Sequence, residues 1–224
     1  LLVLGEPGAG KTTMLLQLVS HLLATAEADE TCPMPAVFSL SAYAEDRPLA
    51  DWLEDQLANN YEVPRKLGRQ WIDRGQFIPV LDGLDEVEPS LRPACAEAIN
   101  AFRQQHAGVA LLVTARSRDY QTLATRLNMD KAIVLQPLTS EQIDAYLARR
   151  GPKLTGLRES LAADRTLREL AQTPLMLSIM TLAYRRMPEG DGGMGGRLLS
   201  RAQLFEVYAE RMARYRSKDM RFAP

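Results

Sequence analysis

Residues 5–13 bring glycines, a lysine and two hydroxyl side chains together between two apolar runs. This stretch, GEPGAGKTT, fits the pattern G-x-x-x-x-G-K-[ST], with the run LLVL before it and a helical pattern from Lys11 onward. Glycines allow successive backbone N–H groups to turn toward an anion, and a helix start directs partial positive charge to the same point. A glycine turn with a chance lysine is the alternative, but the flanking strand and helix favour a phosphate site. The expected nucleotide contacts are Gly5, Glu6, Pro7, Gly8, Ala9, Gly10, Lys11, Thr12 and Thr13.

A bound triphosphate also requires magnesium and an attacking water, and both need oxygen ligands. Lys11 can reach the β and γ phosphates, and the Thr12 hydroxyl can hold Mg²⁺. In the run FIPVLDGLDEVEP, Asp82 ends an apolar strand and is placed to hold Mg²⁺ through its water shell. Asp85 and Glu86 follow one turn later, where one of them, preferably Glu86, could orient or deprotonate the water. These two acids could instead cap and charge the start of the next helix.

A further strand-like run, ALLVTARSRDY, carries Thr114 and Arg116 at its end. Open α/β sheets bind their ligands at the carboxyl ends of the strands. Arg116 could therefore sense the γ phosphate and stabilise the charge that develops in the transition state. It could alternatively pair with a surface acid, and Arg118 is a second candidate for the same role.

Short apolar runs separated by longer helical patterns must position these residues. The runs are LLVL (1–4), AVFSL (36–40), FIPVLD (77–82), ALLVTA (110–115) and AIVLQ (132–136). Continuously apolar strands that alternate with helices indicate a parallel sheet covered on both faces. The sequence therefore predicts an α/β, doubly wound P-loop fold over residues 1–136.

The strand patterns stop after Gln136, and helical patterns follow. Thr139 with Gln142 predicts a capping box, and helices are expected through 157–170 and 175–184 in a small helical domain at 137–187. Residues 188–199 form a predicted glycine-rich loop. Residues 200–224 are expected to begin a further unit that the chain does not complete. Because the first residue is Leu1 rather than Met, we expect a fragment of a longer protein.

Composition limits the classes of partner. The chain of 224 residues has 27 Lys+Arg against 28 Asp+Glu, a net charge of -1, and so no overall field toward nucleic acid or anionic lipid. The basic residues near the C-terminus are interleaved with acids, which is typical of a solvated helix face. The spacing of the two cysteines and two histidines indicates neither a disulfide framework nor a zinc site. The longest apolar stretch, PLMLSIMTLAY, is about half as long as a membrane crossing. We expect a cytoplasmic protein without a clear nucleic-acid or membrane signal.

Taken together, these motifs resemble those of the NACHT domain, from the STAND class of signal-transduction ATPases related to AAA+ proteins. The resemblance rests on GEPGAGKTT, on VLDGLDEV with its second acidic pair after Asp82, on LLVTAR and on LAQTPLMLSIM. The doubled acidic motif is much more specific to this family than the phosphate-binding pattern alone. The final stretch SRAQLFEVYAERMARYR is similar to the segment by which NACHT proteins enter their winged-helix domain.

The resemblance implies roles for particular residues. It places Lys11 and Thr12 in Walker A, Asp82, Asp85 and Glu86 in Walker B, and Arg116 at sensor 1. Pro174 matches the helical-domain proline that touches the adenine or ribose in this family, although proline also fits the first turn of a helix for structural reasons. The family implies ATP rather than GTP, and no N-K-x-D guanine-reading motif occurs in the sequence.

The function implied by this resemblance is a slow ATPase switch. ADP is expected to clamp the α/β domain against the helical domain, and ATP to open the chain so that it forms homo-oligomers and activates an attached effector. Flanking effector and sensor domains are expected in the full-length protein. An AAA+-type motor that remodels protein or nucleic acid is the main alternative. A binding module in which nucleotide only supports the fold is a third, disfavoured by the complete acidic set.

Overall fold

The computed structural model describes residues 1–44 and 46–185. The predicted glycine-rich loop at 188–199 and the predicted incomplete unit at 200–224 lie outside this part of the chain. The described residues form two compact units, and the first of them ends at Leu135. The first unit is an α/β unit, and the second is helical. Within the described ranges, none of the helices combines the length and hydropathy that crossing a membrane requires.

A parallel sheet is the centre of the first unit. Its described strands are β1 (Leu2–Gly5), β2 (Met34–Ser39), β3 (Phe77–Asp82), β4 (Leu112–Arg116) and β5 (Ala132–Val134). They pair in the order β2-β3-β4-β1-β5, and every pair is parallel. All five apolar runs therefore form strands, with bounds that differ from the predicted ones by at most two residues. The α/β fold with a parallel sheet is confirmed.

Helices cover both faces of this sheet. They are α1 (Lys11–Ala28), α2 (Leu49–Tyr61), α3 (Arg65–Arg74), α4 (Arg92–Gln105) and α5 (Ser117–Thr122). On one face, Leu15 and Val19 of α1 pack with Val80 and Leu112. The other face buries a larger cluster from α2 and α4, whose biggest side chain is Trp52. Because both faces are apolar, the central strands are apolar at consecutive positions rather than at alternate ones.

The second unit consists of short helices around a leucine-rich core. They are α6 (Ser140–Arg149), α7 (Thr155–Ala163), α8 (Arg165–Leu170) and α9 (Pro174–Arg185). The predicted capping box is present: Gln142 N–H donates to Thr139 Oγ1 at 3.3 Å, and Thr139 N–H donates to Gln142 Oε1 at 2.9 Å. The helical pattern predicted as continuous over 157–170 is broken at Asp164, because its side chain accepts from Leu167 N–H and caps a new helix.

Candidate functional site

The phosphate-binding pattern forms the loop between β1 and α1. Gly5 ends β1, Lys11 begins α1, and Ala9 N–H donates to the Glu6 carbonyl at 3.1 Å across the turn. Gly10 has φ of 89°, in the left-handed region where residues with a Cβ are strained. This conformation lets the chain turn directly into the helix, so the N–H groups of the first helical turn face the loop. The structure thus places the whole set from Gly5 to Thr13 around one helix start.

The side chain of Lys11 lies over this loop. Its ammonium group donates to the carbonyl oxygens of Gly5 at 2.8 Å and Glu6 at 3.2 Å. An ammonium group has three N–H donors, so these two contacts leave one for an anion. Lys11 is therefore held at the mouth of the loop as a fixed positive charge.

Thr12 and Asp82 join the loop to the end of β3. The Thr12 hydroxyl donates to Asp82 Oδ2 at 3.1 Å, although the two residues are 70 positions apart in the sequence. The other carboxylate oxygen, Oδ1, accepts from the hydroxyl of Thr114 at 2.5 Å. A hydroxyl and a carboxylate are the hard oxygen ligands that Mg²⁺ prefers, so the pair predicted to hold the metal has the right chemistry and lies together.

Asp85 and Arg116 form an ion pair at the ends of β3 and β4. Arg116 Nε lies 2.8 Å from Asp85 Oδ2, and the Arg116 backbone N–H donates to Asp85 Oδ1 at 2.8 Å. The Asp85 side chain is only 5% exposed, whereas that of Arg116 is 49% exposed. The partner of Arg116 is therefore a nearly buried acid of the site rather than a surface acid. Arg118 is 88% exposed, and its nearest acid atom is Glu6 Oε2 at 3.9 Å.

Glu86 has different surroundings from Asp85. Both belong to a 3₁₀ turn at Leu84–Glu86, well before α4 begins at Arg92, so neither acid caps that helix. Glu86 is exposed, and in the described part of the chain its carboxylate has no hydrogen-bond or ion-pair partner. Its side chain lies against the Cα of Gly83, where an added Cβ would come within 2.9 Å of Glu86 Cδ. Of the two acids, Glu86 is the one that is free to accept a proton from water.

Arg92, the first residue of α4, is a site residue that sequence reasoning missed. Its guanidinium group donates to the carbonyl of Val87 at 2.8 Å and to the carbonyl of Asp85 at 2.5 Å, and it pairs with Asp119 at 3.2 Å. These bonds fix the 3₁₀ turn that carries both acids. Residue types alone give no signal for these contacts, because two of the partners are backbone carbonyls.

Pro174 belongs to the second unit. It is the first residue of α9, as its structural interpretation predicts, and is partly buried. In the turn before it, the Thr173 hydroxyl accepts from Met176 N–H at 3.3 Å. The contact of Pro174 with adenine or ribose stays a prediction.

The fold and the site define a class of protein. A parallel sheet with a phosphate-binding loop after β1 and a carboxylate at the end of β3 is the architecture of P-loop NTPases. The family model of the NACHT domain matches residues 1–153, and the chain belongs to this family. None of the curated proteins matches the sequence.

Two solved structures are similar to the chain. The Orc1 protein of Aeropyrum pernix, solved in complex with DNA, is 19% identical with a TM-score of 0.56, and the match covers 100% of this chain. This chain spans 62% of the length of that protein. Cdc6p from Pyrobaculum aerophilum is 18% identical over 66% of this chain and 42% of its own, with a TM-score of 0.43. The similarity to Orc1 supports the fold and nothing further.

Proposed function

We propose that the chain is the ATP-binding and ATP-hydrolysing domain of a STAND-type signalling switch. Membership of the NACHT family supports nucleotide binding, and the contact that carries the switch proposal is the ion pair between Arg116 and Asp85. An arginine held by an acid of the site can exchange that acid for a phosphate. ATP has a γ phosphate to offer and ADP has none, so the two nucleotides would stabilise different arrangements.

The residues of the site divide the work. The loop from Gly5 to Gly10 and Lys11 would hold the phosphates. Thr12 and Asp82 would hold Mg²⁺, which when bound neutralises phosphate charge. Glu86 would accept the proton of the attacking water, since its carboxylate is exposed and unpaired. Asp85 would hold Arg116 in place until a γ phosphate competes for its guanidinium group.

The proposed signalling role also involves Pro174 and the helical unit. We propose that Pro174 contacts the adenine or ribose, so that bound ADP links the helical unit to the α/β unit. ATP would release this link, and the protein would then form a homo-oligomer that signals through flanking effector and sensor domains in the cytoplasm.

An AAA+-type motor is the alternative, and it requires rapid and continuous turnover. The Orc1 protein was solved in complex with DNA. The net charge of -1 gives no electrostatic reason to propose DNA binding for this chain.

The test compares ATP and ADP affinity in the intact protein, measured by calorimetry with Mg²⁺ present. We expect Lys11→Ala to weaken the binding of both nucleotides by about tenfold or more, because both contain the β phosphate. Arg116→Ala should weaken ATP more than ADP, since only ATP carries the γ phosphate. Unchanged affinities in Lys11→Ala would contradict the nucleotide site. An equal loss for both nucleotides in Arg116→Ala would contradict the switch contact alone.

Turnover separates the switch from the motor. A switch should retain ADP after purification and hydrolyse ATP slowly, well below the typical enzyme turnover of about 10 per second. A motor should release ADP readily and turn over many ATP molecules. Fast steady-state hydrolysis by the purified protein would favour the motor.

A further inference from the structure

The buried hydroxyl group of Thr114 contacts Asp82, the acid at the end of β3. Thr114, in β4, is 0% exposed. Among the other buried hydroxyl side chains in the described residues, Thr181 donates to a carbonyl four residues earlier on its own helix, and Ser160 makes such a bond as well as one to the Tyr184 hydroxyl. The Thr114 hydroxyl instead bonds to residues of a neighbouring strand end, 31 and 32 positions away in the sequence. The Thr114 hydroxyl therefore links β4 to the end of β3 and makes no bond within β4 itself, all of which the structure describes.

The sheet register places Thr114 beside Asp82. β3 and β4 pair with Val80 opposite Leu112 and Leu81 opposite Val113. One step further along, Asp82 and Thr114 come level, and their side chains point to the same face because both strands alternate together. The contact therefore follows from strand pairing, and it does not depend on a mobile loop.

Two hydrogen bonds fix the direction of the Thr114 hydroxyl. Gly83 N–H donates to Thr114 Oγ1 at 2.9 Å, which makes this oxygen an acceptor. A hydroxyl has a single proton to give, and the Thr114 proton goes to Asp82 Oδ1 at 2.5 Å. Gly83 has a φ of 83°, in the left-handed region, so the chain turns away directly after this N–H. The main chain thus orients the hydroxyl, and the hydroxyl orients the carboxylate.

The two oxygens of Asp82 consequently have separate partners. Oδ1 is bound by Thr114 on the inner side, and Oδ2 faces Thr12 at 3.1 Å on the side of the phosphate-binding loop. A terminal carboxylate otherwise rotates over a broad range, because its last torsion has shallow wells. Holding one oxygen prevents that rotation and leaves the other oxygen aimed at the loop.

We propose that Thr114 is a positioning residue for the metal-holding carboxylate of Asp82. The inference rests on the proposed function, in that Asp82 and Thr12 hold Mg²⁺ beside the nucleotide. Removal of the Thr114 hydroxyl leaves all of the expected ligands in the chain but releases the carboxylate from its fixed orientation. The consequence is a weaker response to Mg²⁺, while the contacts of the phosphates with the loop stay intact.

The experiment measures how much Mg²⁺ the intact protein needs to bind a fluorescent ATP analogue. Thr114→Val removes the hydroxyl and keeps the branched shape, and we expect its Mg²⁺ midpoint to rise about tenfold or more, as for other residues that orient metal ligands. Binding of the analogue in EDTA should stay within about twofold of the parent. Thr114→Ser restores a hydroxyl and should bring the midpoint back to within about threefold. Thr181→Val removes a buried hydroxyl elsewhere and should leave the midpoint unchanged.

Each other outcome has a definite meaning. An unchanged Mg²⁺ midpoint in folded Thr114→Val overturns the proposal, and so does an equal rise in Thr181→Val. If Thr114→Val does not fold, Thr114→Ala takes its place beside Thr114→Ser, and equal midpoints for those two overturn the proposal. If the parent protein binds no nucleotide at any Mg²⁺ concentration, the proposed function itself fails, and the role of Thr114 fails with it.

Discussion

The carboxyl edge of the sheet and the core of the helical unit are stabilised in different ways. At the edge, side chains from three segments bind one another through short polar contacts, including those from Asp82 to Thr12 and Thr114 and from Asp85 to Arg116. The helical core is formed mainly by apolar side chains. They are Ile143, Leu147, Leu154, Leu157, Leu161, Leu167, Ala171, Leu177, Met180, Ala183 and Tyr184.

This contrast separates geometry from stability. A hydrogen bond depends steeply on direction and contributes only about 0.5–1.5 kcal/mol net, so a polar edge fixes where atoms lie without dominating the folding free energy. Apolar packing has no preferred direction but contributes about 25 cal/mol for each Å² removed from water. Substitutions at the edge should therefore change chemistry more than stability, and substitutions in the helical core should do the reverse.

Glu86→Gln should give the largest effect on the edge side of the comparison. We expect ATP hydrolysis to fall by about 10²–10⁴-fold, because glutamine cannot accept the proton of water. Nucleotide affinity and thermal stability should change little, since the Glu86 carboxylate is exposed and unpaired within the described residues. Single-turnover kinetics measure the rate of hydrolysis, and calorimetric unfolding measures the thermal stability.

Glu88→Gln is the matched control for this substitution. Glu88 is also an exposed acid, two positions further along, and its removal should leave hydrolysis within about twofold of the parent. Hydrolysis at the parental rate in Glu86→Gln would mean that another group accepts the proton of water. It would contradict the different roles proposed for Asp85 and Glu86.

Leu157→Ala tests the opposite side of the comparison. Leu157 is 0% exposed within the helical core, so its truncation should lower the free energy of unfolding by about 2–5 kcal/mol. Urea denaturation measures this loss. Leu175→Ala is the control, because Leu175 is 44% exposed and its truncation should cost about 0.5 kcal/mol or less. Equal losses in the two variants would show that the packing of this core does not hold the unit together.

Arg92→Met sharpens the comparison at a polar group that serves stability as well as geometry. It removes the bonds to the carbonyls of Asp85 and Val87, and we expect a loss of about 1.5–3 kcal/mol in urea denaturation, as for hydrogen bonds to charged groups. Hydrolysis should fall too, because the turn that carries Glu86 loses its support. Lys66→Met is the control: Lys66 lies in the first turn of α3 and is exposed, so removing its charge should be neutral or slightly stabilising. A loss below about 0.5 kcal/mol in Arg92→Met would contradict the bracing role.

The parts of this site that the sequence predicts are those with local causes. The phosphate-binding loop follows from the spacing of glycines and Lys11, and the place of Asp82 follows from the apolar strand that it ends. The Asp85–Arg116 pair could not be predicted, because it depends on how the ends of β3 and β4 align in the sheet. The partners of Arg92 were equally hidden, since two of them are backbone carbonyls that no residue type reveals.

Tyr61→Phe should give the smallest effect, at the edge strand β2. The Tyr61 hydroxyl accepts from Val37 N–H at 2.9 Å and donates to the Val37 carbonyl at 2.8 Å, so it occupies the outer side of a strand that has no neighbour there in the described sheet. The phenylalanine ring can keep the edge-to-face contact with Phe38, whose centroid lies 5.8 Å away. Only the hydroxyl is lost, and because Tyr61 is 44% exposed, water can replace it. We expect a loss of about 1 kcal/mol or less.

Amide hydrogen exchange at Val37 isolates this last effect. Its protection should fall in Tyr61→Phe, since the N–H then faces solvent. Tyr146→Phe is the control, because within the described residues the Tyr146 hydroxyl has no hydrogen bond and its ring instead lies beneath Arg150. An exposed strand edge is a template for pairing with another chain, so Tyr61→Phe should also aggregate sooner at high concentration. Unchanged exchange at Val37 would mean that the Tyr61 hydroxyl does not bind this strand edge in solution. The hydroxyl would then contribute neither to stability nor to the geometry of β2.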